Sequence, residues 1–145
     1  MKKKVDFISL KICREKTVEY ESKGITNPDR AFEAISNIVD KTDRECFGVI
    51  MMNNANEINS FEICSVGTVN MTLAHPREVF KGAILSNASK IMLFHTHPSN
   101  TIEPSQTDID TTKELIEASN PIIDHIITSE RGYFSFAEHG ILFGE

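Results

Sequence analysis

The chain has 145 residues, of which 40 % are hydrophobic and 25 % are charged, a size and composition typical of one globular domain. Fifteen Lys and Arg against 21 Asp and Glu give a net charge of −6, which excludes a positive field over the whole domain and argues against direct nucleic-acid binding. No apolar run approaches the ~20 residues that cross a bilayer, no signal-peptide core follows Met1, and the three cysteines form no Cys-x-x-Cys pair. The composition predicts a soluble, cytoplasmic protein with reduced cysteines.

The first half of the chain carries strand signals on either side of one helix. Val5 to Cys13 has the composition of a strand, and Pro28 suits the first turn of a helix that the polar segment from Asp40 to Arg44 should end. The apolar run Phe47 to Met52 is followed by an Asn-rich turn and a second strand signal, Ile58 to Val66. These two strands predict a hairpin in the centre of a sheet.

The second half alternates helix and strand twice. A helix beginning at Pro76 leads to the apolar run Ile91 to Phe94, and a helix beginning at Ser105 leads to the strand signal at Ile122 to Ile127. A last short strand is expected from Tyr133 to Phe136. The order of elements predicts an α/β fold, with a mixed sheet and helices on both faces.

The residues most suggestive of chemistry follow the Ile91 to Phe94 strand. His95 and His97 are two positions apart, so both imidazoles can point to one face of the strand, and Pro98 ends it. A helix beginning at Ser105 would bring Asp108, in its first turn, to the same place. Two ring nitrogens and one carboxylate oxygen, with a fourth position left for water, form the open ligand set of a catalytic zinc.

Each part of this pattern also has a structural interpretation. Two histidines at this spacing occur in proteins that bind no metal. Ser105-x-x-Asp108 is close to a helix capping box, which is expected at any helix start. The capping and metal interpretations are compatible, because a carboxylate in the first turn can point out of the helix.

The full string, His95-Thr96-His97-Pro98 followed after six residues by Ser105-x-x-Asp108, resembles the motif of the JAMM (MPN+) metalloproteases, the JAB-domain group. The pattern departs from the RadC-like branch of that group at Thr96 and Asn100, where Asn and Gly are common. The resemblance covers about Asp43 to the C-terminus and, more loosely, residues 5–39. Further segments that resemble the RadC-like branch are Ser65 to Asn70, His75 to Ile84, Ser86 to Ala88 and Asp124 to Ile127.

The resemblance implies a stand-alone catalytic domain with a three-layer α/β/α, cytidine-deaminase-like (JAB/MPN) fold. Residues 1–145 would form one domain, with a core of about 43–145 and an N-terminal extension, 1–42, packed on it. The helix-hairpin-helix region of larger family members has no room in this chain. The implied cofactor is one Zn²⁺ ion, and the implied activity is hydrolysis of a peptide or isopeptide bond.

The resemblance also implies a role for each site residue. His95, His97 and Asp108 would hold the zinc ion, and Glu45, just before the first central strand, would be the general base. The Ser105 hydroxyl would donate a hydrogen bond to the oxyanion of the substrate.

Rival functions are a DNA-repair-associated or partner-binding module with a structural metal, and a metal-dependent phosphodiesterase or nuclease. A base deaminase is disfavoured because the His-x-Glu and Pro-Cys-x-x-Cys signature is absent. Asp124-His125, inside an apolar strand, is interpreted as a structural pair, and nothing connects His75 or His139 with the site. The expected partner is a peptide or protein substrate rather than a membrane, and homo-oligomerisation is left open.

Overall fold

The computed structural model describes residues 1–21, 23–39, 44–67, 74–118 and 122–142. Within these ranges it contains three helices and five strands. In chain order they are α1 (Pro28–Ile38), β1 (Cys46–Met52), β2 (Ile58–Val66), α2 (Pro76–Leu85), β3 (Lys90–Thr96), α3 (Gln106–Ala118), β4 (Ile122–Ser129) and β5 (Gly132–Ser135). None of the helices in these ranges combines the length and the apolar character that a bilayer crossing requires.

The strands form one mixed sheet in the order β2-β1-β3-β4-β5. β3 and β4 run parallel, connected through α3, and the other neighbouring pairs are antiparallel. α1 packs against one face of the sheet, and α2 and α3 pack against the other. The structure confirms the predicted α/β class with helices on both faces.

The core lies on both sides of β1 and β3. Every residue of β1 is buried, which explains why Phe47 to Met52 shows no alternation of polar and apolar residues. Gly48 is required here, because a Cβ at this position would lie 2.2 Å from the ring of Phe94 on β3. The close packing of β1 on β3 fixes the position of the strand whose end carries the two histidines.

Local sequence signals set the starts of the first two helices. Asn27 caps α1, where its side chain accepts a hydrogen bond from the Arg30 N–H at 2.9 Å, and Pro28 occupies the first turn. His75 caps α2 in the same way, accepting at Nδ1 from the Arg77 N–H at 3.0 Å. Both helix starts at prolines therefore match the prediction. Of the segment expected to end α1, residues 40–43 lie outside the described residues.

Two predicted features of the sheet are wrong. The β1–β2 hairpin forms, but β2 lies at the edge of the sheet rather than in its centre. No residue of β2 is fully buried, and its polar residues, Asn59 and Glu62 among them, suit an edge strand. Val5 to Cys13 forms no strand, because no described strand of the same chain lies beside it, and residues 1–17 are exposed. Within the predicted N-terminal extension, packing on the core begins with the half-buried Val18 and continues through Ile25 and α1.

Candidate metal centre

The two histidines lie at the carboxyl end of β3. His95 is the penultimate residue of the strand, His97 follows its last residue, and both are buried. Their ring centroids are 4.6 Å apart and the rings are nearly perpendicular. Between them, Thr96 is engaged elsewhere, because its Oγ1 accepts a hydrogen bond from the Cys46 N–H at 3.0 Å. The spacing of two thus brings both imidazoles to one place.

Asp108 reaches the same place from the first turn of α3. Its Oδ1 lies 3.1 Å from Nδ1 of His95, and its Oδ2 lies 3.5 Å from Nε2 of His97. The three residues predicted as metal ligands are therefore neighbours in the structure.

Glu45 approaches the other ring nitrogen of His95. It directly precedes β1, and the register Cys46↔Thr96 brings it next to the end of β3. Its Oε2 lies 3.4 Å from Nε2 of His95. Glu45, His95 and His97 each offer one ligand atom, and these three atoms lie within 4.8 Å of one another. The structure thus contains a Glu/His/His cluster that could hold a metal ion, with the Asp108 carboxylate in contact with both rings.

The structure contains the capping box expected of Ser105-x-x-Asp108. The Ser105 N–H donates to Asp108 Oδ2 at 2.8 Å, and the Asp108 N–H donates to Ser105 Oγ at 3.1 Å. This is the reciprocal geometry of a capping box, with Asp in place of the usual Glu. The same carboxylate caps α3 and contacts both histidines.

His95 is the least satisfied polar side chain of the site. Both of its ring nitrogens are buried, and neither makes a hydrogen bond with a described residue. Asp108 and Glu45 come within ion-pair distance of these nitrogens, but without hydrogen-bond geometry. A buried polar atom without a partner is unfavourable, and a divalent cation held by nitrogen and carboxylate oxygen donors would pair it. The residues present therefore fit such an ion.

Asp108 and His97 each shift the pKa of the other. Burial by itself would raise the pKa of Asp108. Contacts with His95, His97 and the Ser105 N–H lower this pKa by more than burial raises it, so the pKa lies well below its ordinary value. Burial lowers the pKa of His97, but its contact with Asp108 and its bond to the Thr101 carbonyl outweigh this, and the pKa is raised. Asp108 is therefore ionised at neutral pH and ready to bind a cation.

The loop after β3 sets the orientation of His97. Nδ1 of His97 lies 2.9 Å from the carbonyl oxygen of Thr101. A carbonyl can only accept, so Nδ1 carries the proton, and in the neutral ring Nε2 presents its lone pair towards Asp108. Metal-binding histidines commonly have this kind of second hydrogen bond. The motif does not indicate Thr101, because the backbone rather than the side chain makes this contact.

Sequence reasoning also missed Thr112, one turn after Asp108 on the buried side of α3. The Thr112 hydroxyl donates to the Asp108 carbonyl at 2.7 Å and lies 2.6 Å from Nδ1 of His125. The hydroxyl has one proton, so Nδ1–H of His125 must be the donor in the second bond. The spacing of four from Asp108 is the one signal that could have identified Thr112.

His125 is completely buried next to the site. Its ring stacks on Phe136, with centroids 4.5 Å apart, and lies 6.4 Å from the ring of His95. Burial, and secondarily the nearby His95, lowers the pKa of His125 to about 3, so the ring is neutral. Asp124 points to other partners: its oxygens accept from the Ser135 hydroxyl and from the N–H groups of His125 and Ala137. These contacts agree with the structural interpretation of the pair.

The other two histidines make local contacts. His75 caps α2, and His139 stacks on Phe134 while its Nδ1 lies 2.8 Å from the Ser135 carbonyl oxygen.

Comparison with known proteins shows which family this chain resembles in sequence. Residues 25–141 match the family model described as the RadC-like JAB domain. The UPF0758 protein of Rubrobacter xylanophilus is 45 % identical over 104 residues, which are 69 % of this chain and 45 % of the relative. The UPF0758 protein of Fusobacterium nucleatum is 36 % identical over 132 residues, 88 % of this chain and 57 % of the relative.

The UPF0758 protein of Clostridioides difficile is 46 % identical over 103 residues, which are 68 % of this chain and 44 % of the relative. The chain therefore spans about half the length of the curated relatives it matches. The family match includes all the candidate ligands and the capping box, so the resemblance seen in the sequence is confirmed. The chain belongs to the RadC-like JAB-domain family.

Proposed function

We propose that the chain is a zinc-dependent hydrolase of the JAMM type that cleaves a peptide or isopeptide bond. The observation that carries the proposal is His95, a buried imidazole between the carboxylates of Glu45 and Asp108 with neither ring nitrogen hydrogen-bonded to a described residue. This arrangement is unfavourable for the protein alone and favourable around a cation.

His95, His97 and Asp108 would hold the ion. This set of two nitrogens and one carboxylate oxygen leaves a coordination position open, as catalytic zinc sites do. Bound there, zinc would supply Lewis-acid activation of a water molecule and of the substrate carbonyl. Asp108 is preorganised for this role because α3, the Ser105 N–H and Thr112 all restrain it.

Glu45 would be the general base. Its carboxylate is largely shielded from solvent and lies near Nε2 of His95, whereas Asp108 lies near Nδ1. From this position it would accept a proton from the attacking water and then deliver it to the amine that leaves.

Ser105 would stabilise the negative charge on the substrate carbonyl oxygen. Its oxygen accepts the Asp108 N–H, and its hydroxyl proton is the one it could donate to a substrate oxyanion. The residue sits at the start of α3, where the helix dipole also favours negative charge.

An open cleft of about 180 Å³ adjoins the site at His97, which is the one predicted site residue in its lining, and would hold part of a substrate. Phe32 and Ile35 of α1 and the following Val39 form one part of its lining. The end of β4 and Glu130, the residue after it, form another part. Its size and mixed lining suit one or two residues of a peptide.

The test combines metal analysis with hydrolysis of fluorogenic peptide and Lys-isopeptide libraries. We expect one zinc ion per chain, retained in Glu45→Gln with hydrolysis reduced by at least ~10²-fold, whereas His97→Ala loses the metal. Full activity of Glu45→Gln on a substrate that the unaltered protein cleaves would refute the role of Glu45. Chelator-sensitive cleavage of nucleic acid, without peptide or isopeptide hydrolysis, would replace the proposal by a phosphodiesterase.

A further inference from the structure

The first sixteen residues, here called the N-terminal arm, extend from the domain with their apolar side chains in solvent. Val5, Phe7, Ile8, Leu10 and Ile12 are 59–103 % exposed. The arm backbone makes no backbone hydrogen bond with any described residue. Five large apolar side chains in one short segment are far more than the isolated exposed residues of an ordinary surface.

The arm has the sequence of a β-strand without a neighbour. Ile8, Leu10 and Ile12 are two positions apart and would share one face of an extended chain, while Lys11 lies on the other. The nine residues from Val5 to Cys13 contain neither Gly nor Pro. Such a segment becomes stable when a sheet edge completes its hydrogen bonds.

The sheet offers an edge of the same length. β2 is nine residues long and terminates the sheet, and no described strand pairs with its outer side. The opposite edge, β5, has four residues and could pair with less than half of the arm. On length, β2 is the matching edge.

The chain leaves the domain next to this edge. The Tyr20 hydroxyl accepts from the Ile58 N–H at 2.8 Å and lies 3.3 Å from the Ile58 carbonyl oxygen, at the first residue of β2. The Ile25 N–H donates to the Asn56 carbonyl at 2.9 Å, in the turn before β2. In each copy the arm therefore begins beside that copy's own β2 edge. Two copies that face each other with their β2 edges can then exchange arms about a two-fold axis.

The charges of the two surfaces are complementary. Six of the 15 Lys and Arg but only two of the 21 Asp and Glu lie in the arm, so it carries +4 and the remainder of the chain carries −10. The positive arm of one copy is therefore attracted to the acidic remainder of another copy. This attraction speeds the association of the two copies.

We propose that the partner of the arm is a second copy of this chain: Val5–Cys13 adds as a strand to the outer edge of β2 of the other copy, and the exchange is reciprocal. The dimer buries the apolar face of both arms and removes the longer free edge of each sheet. The interface lies at the outer side of β2, with β1 between it and the histidines of β3.

The test measures mass and backbone protection of the full chain under reducing conditions. Light scattering should give about twice the 16.3 kDa of one chain, with a dissociation constant that rises with salt. Hydrogen exchange should show protection of residues 5–13, and of those amides of residues 60–66 that face away from β1, that is lost on dilution. A monomer at all concentrations, arm amides that exchange freely in the dimer, or protection of β5 in place of β2 would each overturn the proposal.

A pair of double variants isolates the arm. Ile8→Ser with Leu10→Ser should raise the dissociation constant of the dimer by at least ~10-fold. The two apolar side chains are 71 % and 72 % exposed in the single chain and would be buried in the dimer, and the double variant removes that burial. Ile84→Ser with Leu85→Ser makes the same chemical change at exposed positions of α2 and should leave dimerisation unchanged. Equal effects of the two double variants would contradict the assignment of the arm.

Discussion

A single hydroxyl connects the candidate ligand Asp108 with a buried histidine that does not touch the cleft. Thr112 donates to the Asp108 carbonyl and accepts from His125, so it restrains the first turn of α3 against β4. We regard Thr112 and His125 as positioning residues, because they act on the site only through Asp108. Contacts of this kind determine how firmly a ligand is held.

Replacing Thr112 by Val should separate this role from simple packing. The change keeps the shape but leaves the His125 Nδ1–H buried without an acceptor, so we expect a loss of about 1–3 kcal/mol in the free energy of unfolding. Zinc affinity, measured by competition with a chromogenic chelator, should fall by about 10- to 100-fold. Thr111→Val, at a half-buried position of the same helix, is the control. Similar zinc affinities for the two variants would argue against positioning by Thr112.

At the scale of the element, the start of α3 serves the helix and the site together. Asn27 caps α1 with its side chain alone, whereas Ser105 and Asp108 cap α3 reciprocally and bring the carboxylate to both histidines. Loss of either cap should therefore destabilise a helix, but only one of the two should affect chemistry.

This difference gives a matched pair of variants. Asn27→Ala and Ser105→Ala should each lower the free energy of unfolding by about 1 kcal/mol, as measured by urea titration. Only Ser105→Ala should also reduce kcat, by on the order of 10²-fold, because it removes the donor to the oxyanion. An unchanged kcat in Ser105→Ala would exclude this hydroxyl from the reaction.

Elements with local signals could be predicted, and features that depend on distant contacts could not. Pro28 and Pro76 mark helix starts by themselves, and the spacing of His95, His97 and Asp108 brings them together once the strand and helix form. The edge position of β2 depends on strand order, which no single segment specifies. Thr112 gains its role only when β4 carries His125 alongside α3.

At the scale of the whole molecule, burial of His125 makes stability depend on pH. The pKa of this ring is about 3 in the folded chain and near the ordinary 6.5 in the unfolded chain. Between these values the unfolded state binds one more proton, so acid lowers the free energy of unfolding by up to about 1.4 kcal/mol per pH unit. Above about pH 6.5 the effect vanishes.

Urea unfolding of the metal-free protein between about pH 7 and 4 can isolate this effect. His125→Phe should show a shallower loss of stability with acid than the unaltered chain, because Phe takes up no proton. The raised pKa of His97 acts in the opposite sense, and comparison of the two proteins cancels it. Parallel pH profiles would show that His125 does not carry this dependence.

The bond from His97 to the Thr101 carbonyl has a consequence for how the loop after β3 can vary. Because a main-chain oxygen fixes the proton on Nδ1, any residue at position 101 can supply this contact if the backbone keeps its path. The loop can therefore change its side chains, as it does at Asn100, while the lone pair of the ring stays directed at the site. In this loop the path of the chain, more than the identity of its residues, is what binding of an ion would depend on.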